Sequence, residues 1–100
     1  MLVHWGGNPV DLKKVEEIKN YTEKKYGFRP IIIEDASHAF GSEYMGQKLG
    51  TIKNNNIIVY SFQAIKHITS IDGGCIILPD KKLTKKARLL RWYGIDREDN

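Results

Sequence analysis

The segment Ile31-Ile32-Ile33-Glu34-Asp35 follows Pro30 and sets three β-branched residues side by side with no polar residue between them. Runs without alternation form strands covered on both faces, as in parallel sheets. Upstream, Leu12, Val15, Ile18 and Thr22 recur at helical spacing among lysines and glutamates. Asn8 can cap this helix, Pro9 suits its first position, and Asp11 meets its positive end. Lys24, Lys25 and Gly27 form its stop. Leu2-Val3-His4-Trp5, broken by Gly6-Gly7, reads as the end of a short strand. Strand, helix and strand make a βαβ unit.

Downstream, residues 36–56 are polar and punctuated by Gly41, Gly46 and Gly50. The pattern predicts mostly loop, with a short hairpin around Tyr44-Met45-Gly46-Gln47-Lys48. Ile57–Phe62 is a third strand. Gly73-Gly74 precedes a fourth at Cys75–Leu78. Pro79-Asp80 opens a last helix over 81–93, with Leu83, Ala87 and Leu90 on one face. The predicted order is β-α-β-loop-β-β-α, which is α/β.

Composition narrows the function classes. The chain has 100 residues, the size of one small domain. It has no run of roughly 18 apolar residues that would predict a membrane span. Its N-terminus lacks the basic-then-apolar pattern of a signal peptide. A single cysteine, Cys75, predicts no internal disulfide and fits a reducing, cytoplasmic setting. Its place in an apolar strand predicts a core residue. The net charge of +4 is concentrated in Lys81, Lys82, Lys85, Lys86, Arg88 and Arg91. This stripe reads as a solvated helix face, so no nucleic acid is expected as a partner. His4, His38 and His67 share no ligand spacing, so no metal is expected. Trp5 and Trp92 read as packing residues.

Three residues carry chemistry by position. Asp35 ends the second strand, Ser61 ends the third, and Lys66 lies in the loop beyond. Ligands of open α/β sheets gather outside the carboxyl ends of strands. If the second and third strands are parallel neighbours, these residues face one crevice. A lysine forms a Schiff base with an aldehyde once its amine loses a proton. A carboxylate pairs with a protonated pyridine nitrogen. A hydroxyl near free backbone N–H groups binds phosphate. Aldehyde, pyridinium and phosphate together describe pyridoxal 5′-phosphate (PLP). Singly, each residue has a plainer reading: a solvated lysine, a turn aspartate, a strand-end serine.

Two ordered motifs decide between these readings. They are Ile33-Glu34-Asp35-Ala36-Ser37-His38-Ala39-Phe40-Gly41 and the stretch Tyr60-Ser61-Phe62-Gln63-Ala64-Ile65-Lys66 through Gly73-Gly74. Together they resemble the DegT/DnrJ/EryC1/StrS family of sugar-nucleotide aminotransferases. The likeness runs from Val3-His4-Trp5-Gly6-Gly7-Asn8-Pro9 to Leu89-Leu90-Arg91-Trp92-Tyr93-Gly94-Ile95. It implies part of the mixed-sheet large domain of a fold-type-I PLP-dependent transferase. Lys66 then matches the lysine that bonds the cofactor and shuttles protons. Asp35 matches the acid paired with the pyridine nitrogen. His38 matches a Gln-or-His position beside the ring and its 3-hydroxyl, and Ser61 matches a phosphate ligand. Gly73-Gly74 matches the turn after the lysine loop. His67 stands where the family often has Asn, and Asp72 where many members have Glu. Because Lys66 is present rather than histidine, the resemblance implies an aminotransferase and not a dehydratase.

The implied partners are a nucleotide-sugar substrate, an amino-acid donor (usually glutamate), and a second subunit in a homodimer. Family members are several times longer. Residues 1–100 are therefore expected to be part of the PLP-binding large domain, with the N-terminal segment and the small C-terminal domain absent and no activity alone. Standing by itself, the chain is expected to expose strand edges and apolar faces at Ile31–Ile33 and Ile57–Val59. Two alternatives stay open: a non-catalytic remnant or interaction module keeping the fold, and a small nucleic-acid binder using the 81–93 helix.

Overall fold

The computed structural model describes residues 1–95. Six strands and two helices appear in chain order: β1 (Leu2–Val3), α1 (Leu12–Tyr26), β2 (Ile33–Asp35), β3 (Glu43–Tyr44), β4 (Gln47–Lys48), β5 (Ile57–Ser61), β6 (Gly74–Ile77) and α2 (Lys81–Arg91). A four-stranded mixed sheet runs β1-β2-β5-β6. β1, β2 and β5 are parallel, in a register that aligns Val3, Asp35 and Val59. β6 returns antiparallel, with Gly74 opposite Ser61.

The local chemistry explains most boundaries. β1 stops at Val3, and Trp5–Gly7 forms a 3-10 turn rather than more strand. α1 starts later than predicted. Asp11 is itself the cap, accepting from Lys14 N–H, so Asn8 and Pro9 lie outside the helix. Gly27 ends it as expected, in the left-handed conformation at φ 75°. β2 is shorter than predicted: Ile31 is 75% exposed and the strand begins at Ile33. The hairpin at Tyr44–Lys48 is present. Met45 and Gly46 both take positive φ, the requirement of a tight two-residue connection. Asp80 caps α2.

Residues alternate across the sheet, so one set faces α1 and the other faces away. The α1 side holds the core, with Leu12, Ala36, Ala39, Leu49, Ile58 and Tyr60 buried together. Buried among them is a polar group of unusual extent. His4 and Glu34 are fully buried and bonded, Nε2 to Oε2, at 2.9 Å. His4 Nδ1 accepts from Val10 N–H, so the ring proton sits on Nε2 and is donated to Glu34. Asn54 and Asn56 donate to the other oxygen of Glu34. Lys19, 2% exposed, reaches in from α1 to Asn54 O (2.7 Å) and Asn56 Oδ1 (3.0 Å). Glu16 contacts its ammonium at 3.1 Å and also takes Arg29.

This network corrects the predicted helix face: Lys19 points inward and Ile18 is 61% exposed. On α2, Leu83 and Leu90 are exposed and Ala87 and Leu89 are half-buried, so of the predicted stripe only Ala87 is partly covered.

The far side of the sheet carries Val3, Ile33 and Ile76, all exposed. Coverage of both faces is therefore not met among the described residues, because only α1 and the 36–56 segment lie against the sheet. The expected exposed apolar face is met at Ile31 and Ile33, whereas Ile57 and Val59 are half-buried and Ile58 is buried. The expected exposed edges are not met: β2 and β5 are paired on both sides, and the edges are β1 and β6. Cys75 on β6 is exposed, not core.

Gly74 is fixed by close approach. A Cβ there would sit 2.5 Å from the Tyr60 carbonyl oxygen. Gly74→Ala is expected to push β6 off β5 and to cost about 1–3 kcal/mol. Urea unfolding reads this directly, and an unchanged midpoint would contradict the packing.

Candidate active site at the carboxyl ends of β2 and β5

β1, β2 and β5 run in one direction, so their carboxyl ends share a rim. Asp35 closes β2. Ser61 closes β5, two residues beyond the Val59 that pairs with Asp35. Two-residue periodicity puts both side chains on the sheet face away from α1. Lys66 follows in the 62–73 loop and is half-buried where its neighbours Ile65 and His67 are exposed.

The backbone holds this rim tightly. Asp35 C=O accepts from His4 N–H at 2.9 Å, and Ala36 N–H donates to Val59 C=O at 2.8 Å. The lysine loop is closed at its neck by Phe62, whose N–H donates to Gly73 C=O (2.8 Å) and whose C=O accepts from Ser70 N–H (2.9 Å). Thr69 Oγ1 also donates to Phe62 C=O, at 3.0 Å. Inside the loop, Lys66 N–H donates to Gln63 C=O. Ser61 Oγ accepts a long bond from Gln63 N–H at 3.4 Å. Asp72 Oδ1 accepts from Gly73 N–H, which steadies the turn into β6.

Electrostatics ties three of the residues together. Asp35 is held below the usual carboxylate range. The Ser37 hydroxyl is the main cause, the Ser37 N–H the next, and burial opposes them. The positive charges of His38 and Lys66 add to the lowering. Asp35 and Ser61 thus end neighbouring parallel strands on one face, with Lys66 in the loop after Ser61 and His38 three residues after Asp35.

His38 packs its ring on Trp5, with centroids 5.1 Å apart. The backbones of Gly7 and His38 come close: a Cβ on Gly7 would lie 3.1 Å from the His38 carbonyl oxygen, and Gly7 has φ +83°. Ser42 Oγ donates to Gly7 C=O and fastens the two turns. Trp5 is 75% exposed, which corrects its reading as a packing residue. It lies beyond the strand because β1 ends at Val3, two residues earlier than predicted. Trp92 is partly exposed and meets Tyr93 edge to face. Ser37 was not singled out in the sequence, although a serine two residues after a strand-end aspartate is an Asx-turn pattern. A pocket of about 310 Å³ bordered by Gly50, Asn56, Ile58, Ile77 and Pro79 lies at the opposite end of β5. It gathers none of these groups.

The arrangement first defines a class: an α/β chain whose parallel strands end together at a rim where such sheets collect ligands. The particular assignment follows. The chain belongs to the DegT/DnrJ/EryC1/StrS aminotransferase family, whose model matches residues 1–100. Enzymes of this family work with PLP. The chain is 42% identical, over 94% of its length, to the UDP-4-amino-4,6-dideoxy-N-acetyl-beta-L-altrosamine transaminase of Campylobacter jejuni, covering 23% of that protein. Among solved structures it resembles AtS13 of Actinomadura melliaura, at 48% identity and a TM-score of 0.90 over 96% of this chain and 26% of that one. It also resembles the sugar aminotransferase CalS13 of Micromonospora echinospora, at 41% identity and a TM-score of 0.90 over 99% and 27%. The chain spans about a quarter of the length of the relatives it matches.

Proposed function

We propose that this chain carries the PLP-binding part of a transaminase that moves an amino group from an amino acid, glutamate being the donor, to a nucleotide-linked keto-sugar. In this reading residues 1–100 are part of the large domain. The rest of the large domain and the small domain come from chain beyond these residues, and two cytoplasmic subunits pair to complete the site.

The residues fit the cofactor by the chemistry of their donors. Asp35 is a carboxylate kept anionic, suited to a protonated ring nitrogen. Lys66 offers a primary amine on a loop fixed at its neck. Ser61 offers a hydroxyl at a strand end. His38, whose ring packs on Trp5, would offer a face to the cofactor ring. Bound there, PLP supplies an aldehyde that condenses with amines and a ring that accepts electrons. Lys66 would hold the cofactor through its amine and, when that amine is free, would serve as the base for the proton on the donor α-carbon. Asp35, held anionic, would keep a ring nitrogen protonated.

The observation that carries this reading is the placement of Asp35 and Ser61 on one face at the ends of adjacent parallel strands, with a half-buried Lys66 in the loop that follows β5. The test is incubation with PLP, borohydride reduction and peptide mapping. The pyridoxyl mass is expected on Lys66 ahead of the chain's other lysines. A label spread over surface residues such as Lys81 and Lys82, or none, would overturn the proposal.

A further inference from the structure

We infer that Ser37 is a positioning residue that selects one orientation of the Asp35 carboxylate, engaging Oδ1 so that Oδ2 is the oxygen left to meet a cofactor ring nitrogen. The inference rests on the PLP reading given above and adds a residue to it.

The argument starts from the freedom Asp35 has. Its backbone is pinned on both sides, by His4 N–H on its carbonyl and by the next residue's N–H on Val59. Only the side-chain torsions remain, and the last of these is broad and two-fold in an aspartate. An unrestrained carboxylate would present either oxygen in a range of tilts. Ser37 removes that choice. Its hydroxyl donates to Oδ1 at 2.6 Å and its N–H donates to the same oxygen at 3.0 Å. The shorter bond lies in the charge-assisted range. Among the described residues Oδ2 takes no hydrogen bond. Two donors on one oxygen thus leave the other as the acceptor for an incoming N–H.

The same bonds favour the ionised acid, and the charges of His38 and Lys66 act in the same direction. The sign follows: with its folded value below the unfolded one, Asp35 contributes stability that is complete above the unfolded carboxylate range. That stability is lost as pH falls through the folded value. An anionic Asp35 is also the form that holds a proton on a ring nitrogen.

The test compares the wild-type chain with Ser37→Ala and Ser37→Thr. Without PLP, carbon NMR follows the titration of the Asp35 carboxyl. The midpoint is expected to rise in Ser37→Ala and to return towards wild type in Ser37→Thr, which restores the hydroxyl. With PLP, affinity at neutral pH is expected to weaken about tenfold in Ser37→Ala, the scale of one lost charge-assisted bond. The borohydride label should stay on Lys66. An unmoved Asp35 midpoint in Ser37→Ala overturns the inference. So does a moved midpoint with unchanged PLP affinity. If wild type takes no label at Lys66 while the midpoint still moves, the PLP reading fails and the hold of Ser37 on Asp35 stands, so the two failures are distinguishable.

Discussion

Lys66→Arg is expected to abolish covalent retention of PLP while leaving the fold intact. The substitution keeps a positive charge facing Asp35, so the electrostatic balance of the rim is preserved. The backbone bond from residue 66 to Gln63 C=O does not involve the side chain. What is lost is a nitrogen that can give up its proton. A guanidinium stays protonated in proteins, so it serves neither as nucleophile nor as base. The borohydride-stabilised mass on the 66-containing peptide should fall to background with an unchanged melting temperature. Transaminase turnover in a protein bearing this change should fall about 10³-fold, the scale of a lost general base. Persistent labelling at wild-type stoichiometry would remove Lys66 from its proposed role.

The largest effect on stability is expected at Glu34. Glu34→Ala removes the acceptor for His4 Nε2–H, Asn54 Nδ2 and Asn56 Nδ2, and all but Asn54 belong to buried residues. It also frees the Asn56 amide, whose oxygen accepts from the buried Lys19. Breaking one member of a buried charged network costs about 3–5 kcal/mol, since the partners cannot regain water. A small domain has roughly 5–15 kcal/mol in total, so the variant should be close to unfolded at 37 °C. Urea titration measures the loss. The double variant Glu34→Ala with Lys19→Met should lose less than the two single variants summed, because both side chains bond the same Asn56 amide and so are not independent. A cost for Glu34→Ala near that of a surface substitution would show that the network is not sealed from solvent. Glu34 directly precedes Asp35, and His4 holds both the Glu34 side chain and the Asp35 carbonyl. The network therefore also fixes the strand end from which Asp35 projects.

The order of elements and the strand-end places of Asp35 and Ser61 were legible in the residues themselves. So were the helix stop at Gly27 and the turn at Met45-Gly46. These features follow from short-range physics: β-branched runs, capping groups and tolerance of positive φ act within a few residues. The motifs around Asp35 and Lys66 added the family and its cofactor. Helix faces were less legible. A pattern of apolar residues put Ile18 inside, and the fold chose Lys19, because acceptors on Asn54 and Asn56 satisfy its ammonium where a methyl group would leave them unpaired. α1 begins only after Asp11, whose side chain caps Lys14 N–H, while Val10 N–H bonds the buried His4 ring.

By itself, then, the chain's chemistry determined which residues stand at the ends of strands and what cofactor their types suit. Only the tertiary structure decided that β2 and β5 lie side by side, that His4 and Glu34 meet across 30 positions, and that Ser37 holds one oxygen of Asp35. Such pairings depend on which polar groups are shut away from water together. That is settled when distant segments pack, and no local run of residues encodes it.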